Sequence, residues 1–574
     1  MFPRLGKAGC RQQGFRSAAG GVLLAWYSFF GAGQCLAQGD NSFSIPESHP
    51  VYNLIDALPL PSIAGGVDLT VRPLSEKQII RLLDFALANH VVRDAALVRR
   101  YLNEFEREDS VHAATLHIGD STNRLSVYPY LATGFQVQDS NYSERGYSTF
   151  SVDSLSNKNE VRNETNYGIR LRALVFNAPV FFDGTITTEY SSVAQWVKTD
   201  DPHLGQNYTT ILSARGAPGH FMGFDQFTTY FKIPNPFLDV TVGNQPFEWG
   251  YSPGMGFLFS GQYSPFFNVR IDKKIGKLDY EFVMGKLVAD TYAEQKYVYA
   301  KRLTYQPFDW ASIGFSDQEI TMNRGVEPLY FLPFVPYYFT GHYLGDPDNL
   351  LLAFDGQVRI KSIAAVYGQL GIDDVKDLLG PVTDLTRSGN KDWGNKWSGL
   401  LGIKLFRPFP WFESLVKLEV LQTEPWTYTT SANATSNYPV QFGQLLGNEY
   451  GPHARVVRAV CDGQLSNGVS AQLTLEQLWK GKDPSGPGSP GSNVGDVNPT
   501  VLDTVNGSVS QSVAYPFKND RFTAFSRNRT YLAASVSYRP NAVWNINSGA
   551  AMIYEQEPKP GAYYQISAGA NVNY

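Results

Sequence analysis

Cysteine is scarce: the chain has 3, and Cys10 and Cys35 lie so near its start that only Cys461 serves the body of the protein. A single thiol excludes an internal disulfide framework, so the fold must be held by other means. No later run reaches the roughly eighteen uninterrupted apolar residues of a membrane-spanning helix. Charge is also low, at 18% of residues with a formal balance of -5, and nucleic acid is not an expected partner. G-x-S-x-G, H-E-x-x-H, P-loop and C-x-x-C patterns are missing, and the 8 histidines show no ligand spacing. The chain therefore reads as a non-enzyme, and no cofactor is expected.

Aromatic side chains and glycine are abundant instead, with 33 Tyr, 36 Phe and 52 Gly. That composition favours amphipathic strands over helices. The first 37 residues stand apart as a secretory leader: Arg4, Lys7, Arg11 and Arg16 precede the apolar run GGVLLAWYSFFGAG, and CLAQ supplies a small-residue exit with cleavage after Ala37. A lipid-modified Cys35 is the weaker alternative, because Gln34 occupies a position that wants a small residue. Losing four basic residues takes the formal charge from -5 to -9 (-5 - 4).

Residues 38–115 read as a helical bundle or plug. HPVYNLIDALPL places Val51, Leu54, Ile55 and Leu58 at helical spacing, and a capping box of Ser75 with Gln78 opens a second helix bearing Ile79, Leu82, Leu83 and Leu87. A third, near Asp94 to Glu108, carries Leu97, Tyr101, Leu102 and Phe105 on one side. From about residue 120 to 574 the hydrophobic period becomes two. Ile169, Leu171, Ala173 and Val175 alternate with Arg170 and Arg172, and Tyr280, Phe282 and Met284 with Asp279 and Glu281. Leu350, Leu352, Phe354, Val358 and Ile360 oppose Asp355, Gln357, Arg359 and Lys361; Val469, Ala471, Leu473 and Leu475 oppose Gln472, Thr474 and Glu476. One side of each strand thus wants an apolar medium and the other water.

Connection lengths distinguish a membrane barrel from a soluble sandwich. Tight turns at Asn177, Pro234, Lys274, Gln306, Arg407 and Arg539 alternate with long connections, the asymmetry of an outer-membrane barrel. The fold class is mainly β: an antiparallel transmembrane β-barrel of about 18 strands with a small N-terminal α-helical region. The last segment, YYQISAGANVNY, alternates Tyr564, Ile566, Ala568, Ala570, Val572 and Tyr574 toward lipid with Gln565, Ser567, Asn571 and Asn573 toward the lumen. Trp310, Trp411 and Trp544 beside tight turns fit an interfacial girdle.

The long connections hold the candidate site. Glu248, Trp249, Tyr251, Arg324, Tyr337, Tyr338, His342, Tyr343, Trp393, Trp426, Tyr428, Glu449 and Tyr450 combine rings that stack on sugar faces with groups that hydrogen-bond hydroxyls. The plainer reading of the same rings is loop packing or the membrane boundary. No metal centre is expected; the turn with Asp346, Asp348 and Asn349 offers oxygen ligands for calcium but lacks the closing Glu of a calcium loop. Asp373 with Asp374 would be the carboxylate pair of a hydrolase, although successive strand residues point to opposite sides.

EWGYSPGMGFLFSGQYSP, GDPDNLLLAFDGQVRI, VYGQLGIDDV, GNKWSGLLGIKL, LVKLEVLQTEPWTY and YPVQFGQLLGNEYGPHA, in this order, resemble segments of the Wzi family of capsule assembly proteins. HPVYNLIDALPL and RPLSEKQI resemble that family's helical leader. The chain departs at SGQYSP, where the family pattern has an asparagine pair followed by arginine, and in the insertion KGKDPSGPGSPGSNVGD. The resemblance implies an 18-stranded barrel plugged or capped by N-terminal helices. It also implies an outer-membrane lectin whose partners are capsular or extracellular polysaccharide, outer-membrane lipid and the capsule export machinery. The rival is a porin or substrate-specific channel, with Arg170, Arg172, Asp279, Glu281, Arg359, Lys361, Lys404, Lys417 and Glu419 along a water path.

Overall fold

The computed structural model describes residues 40–106, 116–119, 123–139, 159–191, 221–235, 238–288, 295–374, 396–424, 427–428, 438–441, 444–465, 467–481, 525–541, 543–557 and 561–573. The leader lies outside them. Eighteen wall strands form one closed antiparallel barrel. They are β1 (Arg124–Asp139), β2 (Asn159–Val175), β3 (Ala178–Ser191), β4 (Phe221–Ile233), β5 (Asp239–Gly243) and β6 (Phe267–Ile275). There follow β7 (Leu278–Leu287), β8 (Lys296–Phe308), β9 (Ala311–Met322), β10 (Asn349–Ile360), β11 (Ala364–Asp374) and β12 (Lys396–Phe406). The circuit ends with β13 (Glu413–Thr423), β14 (Ala454–Gln464), β15 (Val469–Gly481), β16 (Phe525–Tyr538), β17 (Trp544–Glu557) and β18 (Gly561–Asn573). Strand order follows chain order, and β18 pairs with β1 from Gln565↔Gln138 to Asn573↔Tyr130. A short strand, Leu116–Gly119, continues along β1 below that seam.

The alternation read from sequence is realised. Ile169, Leu401, Leu418, Ile546 and Ile566 point outward and are exposed, while Arg172, Arg302, Glu419, Glu476 and Arg529 point inward and are buried. Trp310, Trp411 and Trp544 are exposed at the tight-turn end.

Three helices, α1 (Val51–Ala57), α2 (Glu76–Ala88) and α3 (Ala95–Glu106), close that end. Ser75 caps α2 through the full capping box with Gln78. The expected stripes form one core of Leu54, Ile55, Leu58, Ile79, Leu82, Leu83, Leu97 and Leu102. Polar contacts tie the bundle to the barrel around its rim: Glu76 to Arg172 on β2, Asp40 to Lys232 on β4 at 3.3 Å and Asp56 to Lys404 on β12 at 3.4 Å. Further round, the Asp94 amide donates to Glu413 on β13 at 2.8 Å, and Gln464 at the end of β14 donates to the Pro50 carbonyl at 3.0 Å.

The connection from β5 to β6 carries the candidates Glu248, Trp249 and Tyr251, which the sequence places in a loop at the long-connection end. It turns into the lumen instead. Its two-residue strand Glu248–Trp249 pairs antiparallel with Val71–Arg72 from the helical end, and the Gly250 amide donates to the Thr70 carbonyl at 2.8 Å. Phe247, Trp249, Phe257 and Phe259 then pack against Val283, Val298, Ala300, Ile320, Leu351 and Ala353 on the inner wall. Here the inner wall is apolar because the plug, not water, faces it. β10 therefore reads NLLLAF, apolar on both sides. A Cβ on Gly371 would lie 2.1 Å from the Phe257 ring, so only glycine leaves room for it.

The β9–β10 connection, which carries the candidates Arg324, Tyr337, Tyr338, His342 and Tyr343, likewise does not stand free at the long-connection end. Residues 322–349 fold over the outside of the wall, where Pro328–Phe331 forms one 3-10 turn and Tyr337–Leu344 the helix α4. Tyr330 and Tyr337 pack with outward-facing Tyr299.

Inside, Arg302 on β8 makes a two-pronged pair with Asp355 on β10 at 2.6 and 2.9 Å and also donates to Thr70 Oγ1 at 2.9 Å. Removing one member of a buried pair leaves an uncompensated charge at a cost of about 3–5 kcal/mol, whereas an apolar pair of similar volume is often neutral. Asp355→Ala should lower the unfolding free energy of the detergent-solubilised barrel by that amount, and Arg302→Met with Asp355→Leu should restore most of it. Equal losses in both variants would show that packing, not charge, holds this contact.

Candidate functional site

The candidate residues separate into three places. Glu248, Trp249, Tyr251, Tyr428, Glu449 and Tyr450 lie on or beside the lumen plug. Arg324, Tyr337, Tyr338, His342 and Tyr343 lie on the outer-wall connection. Trp393 and Trp426 fall outside the described residues.

In the lumen most of the rings serve packing and hydrogen bonding. Trp249 is 1% exposed and its indole N–H donates to Glu281 at 2.6 Å. The Tyr251 hydroxyl is 2.8 Å from Ser312 Oγ, and its ring lies 5.8 Å from Tyr367. Tyr428 stacks on Phe257 at 4.9 Å, donates to the Phe257 carbonyl at 3.0 Å and has its amide held by Asp373 at 2.6 Å. That use of Asp373 is structural. Tyr450 donates to Glu476 on β15.

Glu248 is buried beside a second carboxyl, Glu47, at the junction of the plug with the helical end. Burial first, and then the charge of Glu47, raises the Glu248 pKa well above the ordinary value of 4.5; burial also raises that of Glu47. Arg72 opposes both shifts, but it is already committed to Asp56 at 2.6 Å.

On the outer wall Arg324 is engaged by Asp348 and by Glu327 at 3.6 Å, and the Tyr330 hydroxyl donates to Asp348 at 2.7 Å. Asp346 meets His342 at 3.2 Å. The two carboxylates considered for calcium thus have separate protein partners, and no metal-holding cluster occurs among the described residues. Tyr338, His342 and Tyr343 are exposed, with the Tyr338 and His342 rings 4.2 Å apart.

A cavity of about 390 Å³ remains in the lumen between the plug and the wall from β13 to β18. Lys417, Glu449, Arg458, Gln472, Thr474, Tyr531, Ser535, Gln565 and Ser567 line it together with small residues such as Ala533, Gly549 and Ala551. Glu449 is the sequence candidate that reaches this space, and Arg458 holds it at 3.5 Å while pairing with Glu419 at 3.0 Å. Gln472, Gln565 and Ser567 were placed on the lumen side by alternation but not singled out. Their signal was the run of neutral amides and hydroxyls facing inward on consecutive strands. Such groups offer both donors and acceptors without fixed charge, which suits ligands rich in hydroxyls.

Residues 252–524 match the family model described as capsule assembly protein Wzi. This span resembles the Wzi family. The solved structure of Wzi from Escherichia coli, an outer membrane protein involved in group 1 capsule assembly and a carbohydrate-binding β-barrel, has the same fold. It is 13% identical, with a TM-score of 0.55, and the similarity covers 92% of this chain and 99% of that one. OpdK from Pseudomonas aeruginosa solved with vanillate (8% identical, 78% and 98% covered, TM-score 0.39) and OccAB2 from Acinetobacter baumannii (8%, 78% and 98%, 0.40) are similar at lower scores. Among curated proteins no match is found. A closed lipid-facing barrel with a Wzi-family span is a protein of the bacterial outer membrane.

The Glu47–Glu248 pair gives a pH prediction. A carboxyl whose folded pKa is raised contributes stability that is complete below about 4.5 and is lost as pH rises through the folded value. The unfolding midpoint of the wild type should therefore fall between pH 4 and pH 8, and Glu248→Gln should flatten that fall and be the more stable form at pH 8. Parallel profiles for the two proteins would remove the pair as the cause.

Proposed function

We propose that this protein is a surface lectin that binds capsular or other extracellular polysaccharide and holds it at the outer membrane during capsule assembly. The observation that carries the reading is the lumen: a plug of residues 247–266 joined to the helical end occupies one side, and a cavity walled by amides, hydroxyls and the Glu449–Arg458 pair occupies the other. The Wzi-family span and the fold shared with a carbohydrate-binding barrel support it. In this reading the long connections face the outside of the cell and the helices α1–α3 face the periplasm, where the export machinery would meet them. Weak contacts along a repeating polymer add up because each bound repeat raises the effective concentration of the next.

The rings divide the work. Trp249, Tyr251, Tyr428 and Tyr450 fix the plug and the walls of the site, while Glu449, Gln472 and Gln565 meet sugar hydroxyls. Trp393 and Trp426, which lie outside the described residues, are further candidates for stacking on sugar rings.

Binding of the purified barrel to surface polysaccharide from its own source, against polysaccharide of an unrelated strain, tests the proposal. Selective binding is expected. Gln472→Ala and Gln565→Ala should each weaken it by roughly 2- to 10-fold, the effect of about 0.5–1.5 kcal/mol per lost hydrogen bond. Absence of binding together with steady large single-channel currents would favour the channel instead.

A further inference from the structure

The outer-wall connection covers a defect in the barrel. Lys301 on β8 and Asp317 on β9 are register partners on the outward face, and Glu319 follows two residues on. Counting from the paired strand ends Phe308 and Ala311, beside the girdle residue Trp310, Lys301 is seven residues up its strand (308 - 301) and Asp317 six (317 - 311). At about 3.3 Å per residue and a tilt of ~40°, these are heights of about 18 and 15 Å within an apolar band about 25 Å tall. Charges facing lipid near the middle of that band cost about 2–4 kcal/mol each for a lysine.

None of the three meets lipid. Lys301, Asp317 and Glu319 are 4%, 1% and 2% exposed. The Lys301 ammonium donates to the Val335 carbonyl at 2.6 Å and sits 3.8 Å from the centre of the Tyr337 ring. Asp317 accepts from the Tyr337 amide at 2.7 Å. Phe331 and Phe334 lie against Phe282 and Tyr280 at 5.4 and 4.8 Å, so the connection reaches well down the wall. Its other side is apolar. Residues 328–341, PLYFLPFVPYYFTG, contain no charge, and Phe334 and Phe339 are 52% and 63% exposed. The charged residues Arg324, Glu327, Asp346 and Asp348 gather where the connection leaves and rejoins the strands.

We infer that residues 328–341 are a membrane-immersed wedge on the outside of the barrel: the inner side shields Lys301, Asp317 and Glu319, and the outer side contacts the acyl chains of the outer leaflet. The occupant is lipid because the exposed rings continue the apolar surface of Phe354 and Val358 on the neighbouring strand β10. The polar backbone of a non-helical segment is tolerated at this depth where protein covers it, and the wall carboxylate and ammonium take up the Tyr337 amide and the Val335 carbonyl. This inference is independent of what the lumen binds.

Spin labels on Phe334→Cys, Phe339→Cys and Asp346→Cys, each in the full chain with its native cysteines replaced by alanine and reconstituted in phosphatidylcholine vesicles, test it. At 334 and 339 collisions with oxygen should exceed those with an aqueous nickel chelate, and at 346 the order should reverse. Nickel access at 334 and 339 equal to that at 346 would overturn the wedge; exclusion of both reagents, with spin–spin coupling between copies, would replace lipid by a second barrel. In a second arm, residues 325–346 are replaced by a short Gly/Ser turn. Membrane-integrated barrel should be lost and be restored by Lys301→Leu, Asp317→Leu and Glu319→Leu together. Equal integration of the shortened chain with and without those three changes would overturn the shielding role.

Discussion

In hydrocarbon a backbone amide or carbonyl has no water to turn to, and leaving one unpaired costs several kcal/mol. That constraint makes the pairing of β18 with β1 the contact on which the rest depends. Once the ring closes, the outer face can be given over to lipid-soluble side chains and the inner face must be filled with something other than lipid. The chain fills it with its own residues, from both ends, and leaves a cavity on one side.

The filling explains the uneven character of the inner wall. Where the plug touches it, from β7 to β10, the inward residues are Val283, Val298, Ala300, Ile320 and Leu351. Where the cavity lies, from β13 to β18, they are amides, hydroxyls and small residues together with the charged Lys417 and Arg458. Buried ionic pairs occur within both regions, Arg302 with Asp355 in the first and Arg529 with Glu476 in the second. One barrel therefore holds an apolar core around a packed segment and a polar-lined cavity beside it.

Much of this was legible in the sequence. The capping box at Ser75, the helical stripes, the alternation and the final aromatic strand follow from short-range periodicity, which depends on neighbours a few residues away. The position of Phe247 to Phe266 did not, because rings and glycines suit a ligand-binding loop and an internal plug equally; what decides is a wall of residues scattered from Val283 to Ala353. The outer-wall helix was missed for a related reason. Lys301 and Asp317 do break the outward apolar register, and that violation, next to a long aromatic connection, was the available signal. Of the cavity lining Glu449 is among the sequence candidates, while Gln472 and Gln565 were assigned a face but no role, since an inward amide looks the same whether it lines a site or solvates a lumen.

The short pairing between Glu248–Trp249 and Val71–Arg72 has a mechanical meaning. It joins a segment rooted at the long-connection end to one rooted in the helices, by main-chain hydrogen bonds through the interior. A pull on the long-connection end would thus strain not only the wall but also this inner tether. Tension could pass from one side of the membrane to the other along the axis, as along a cord inside a sleeve, without the sleeve changing shape.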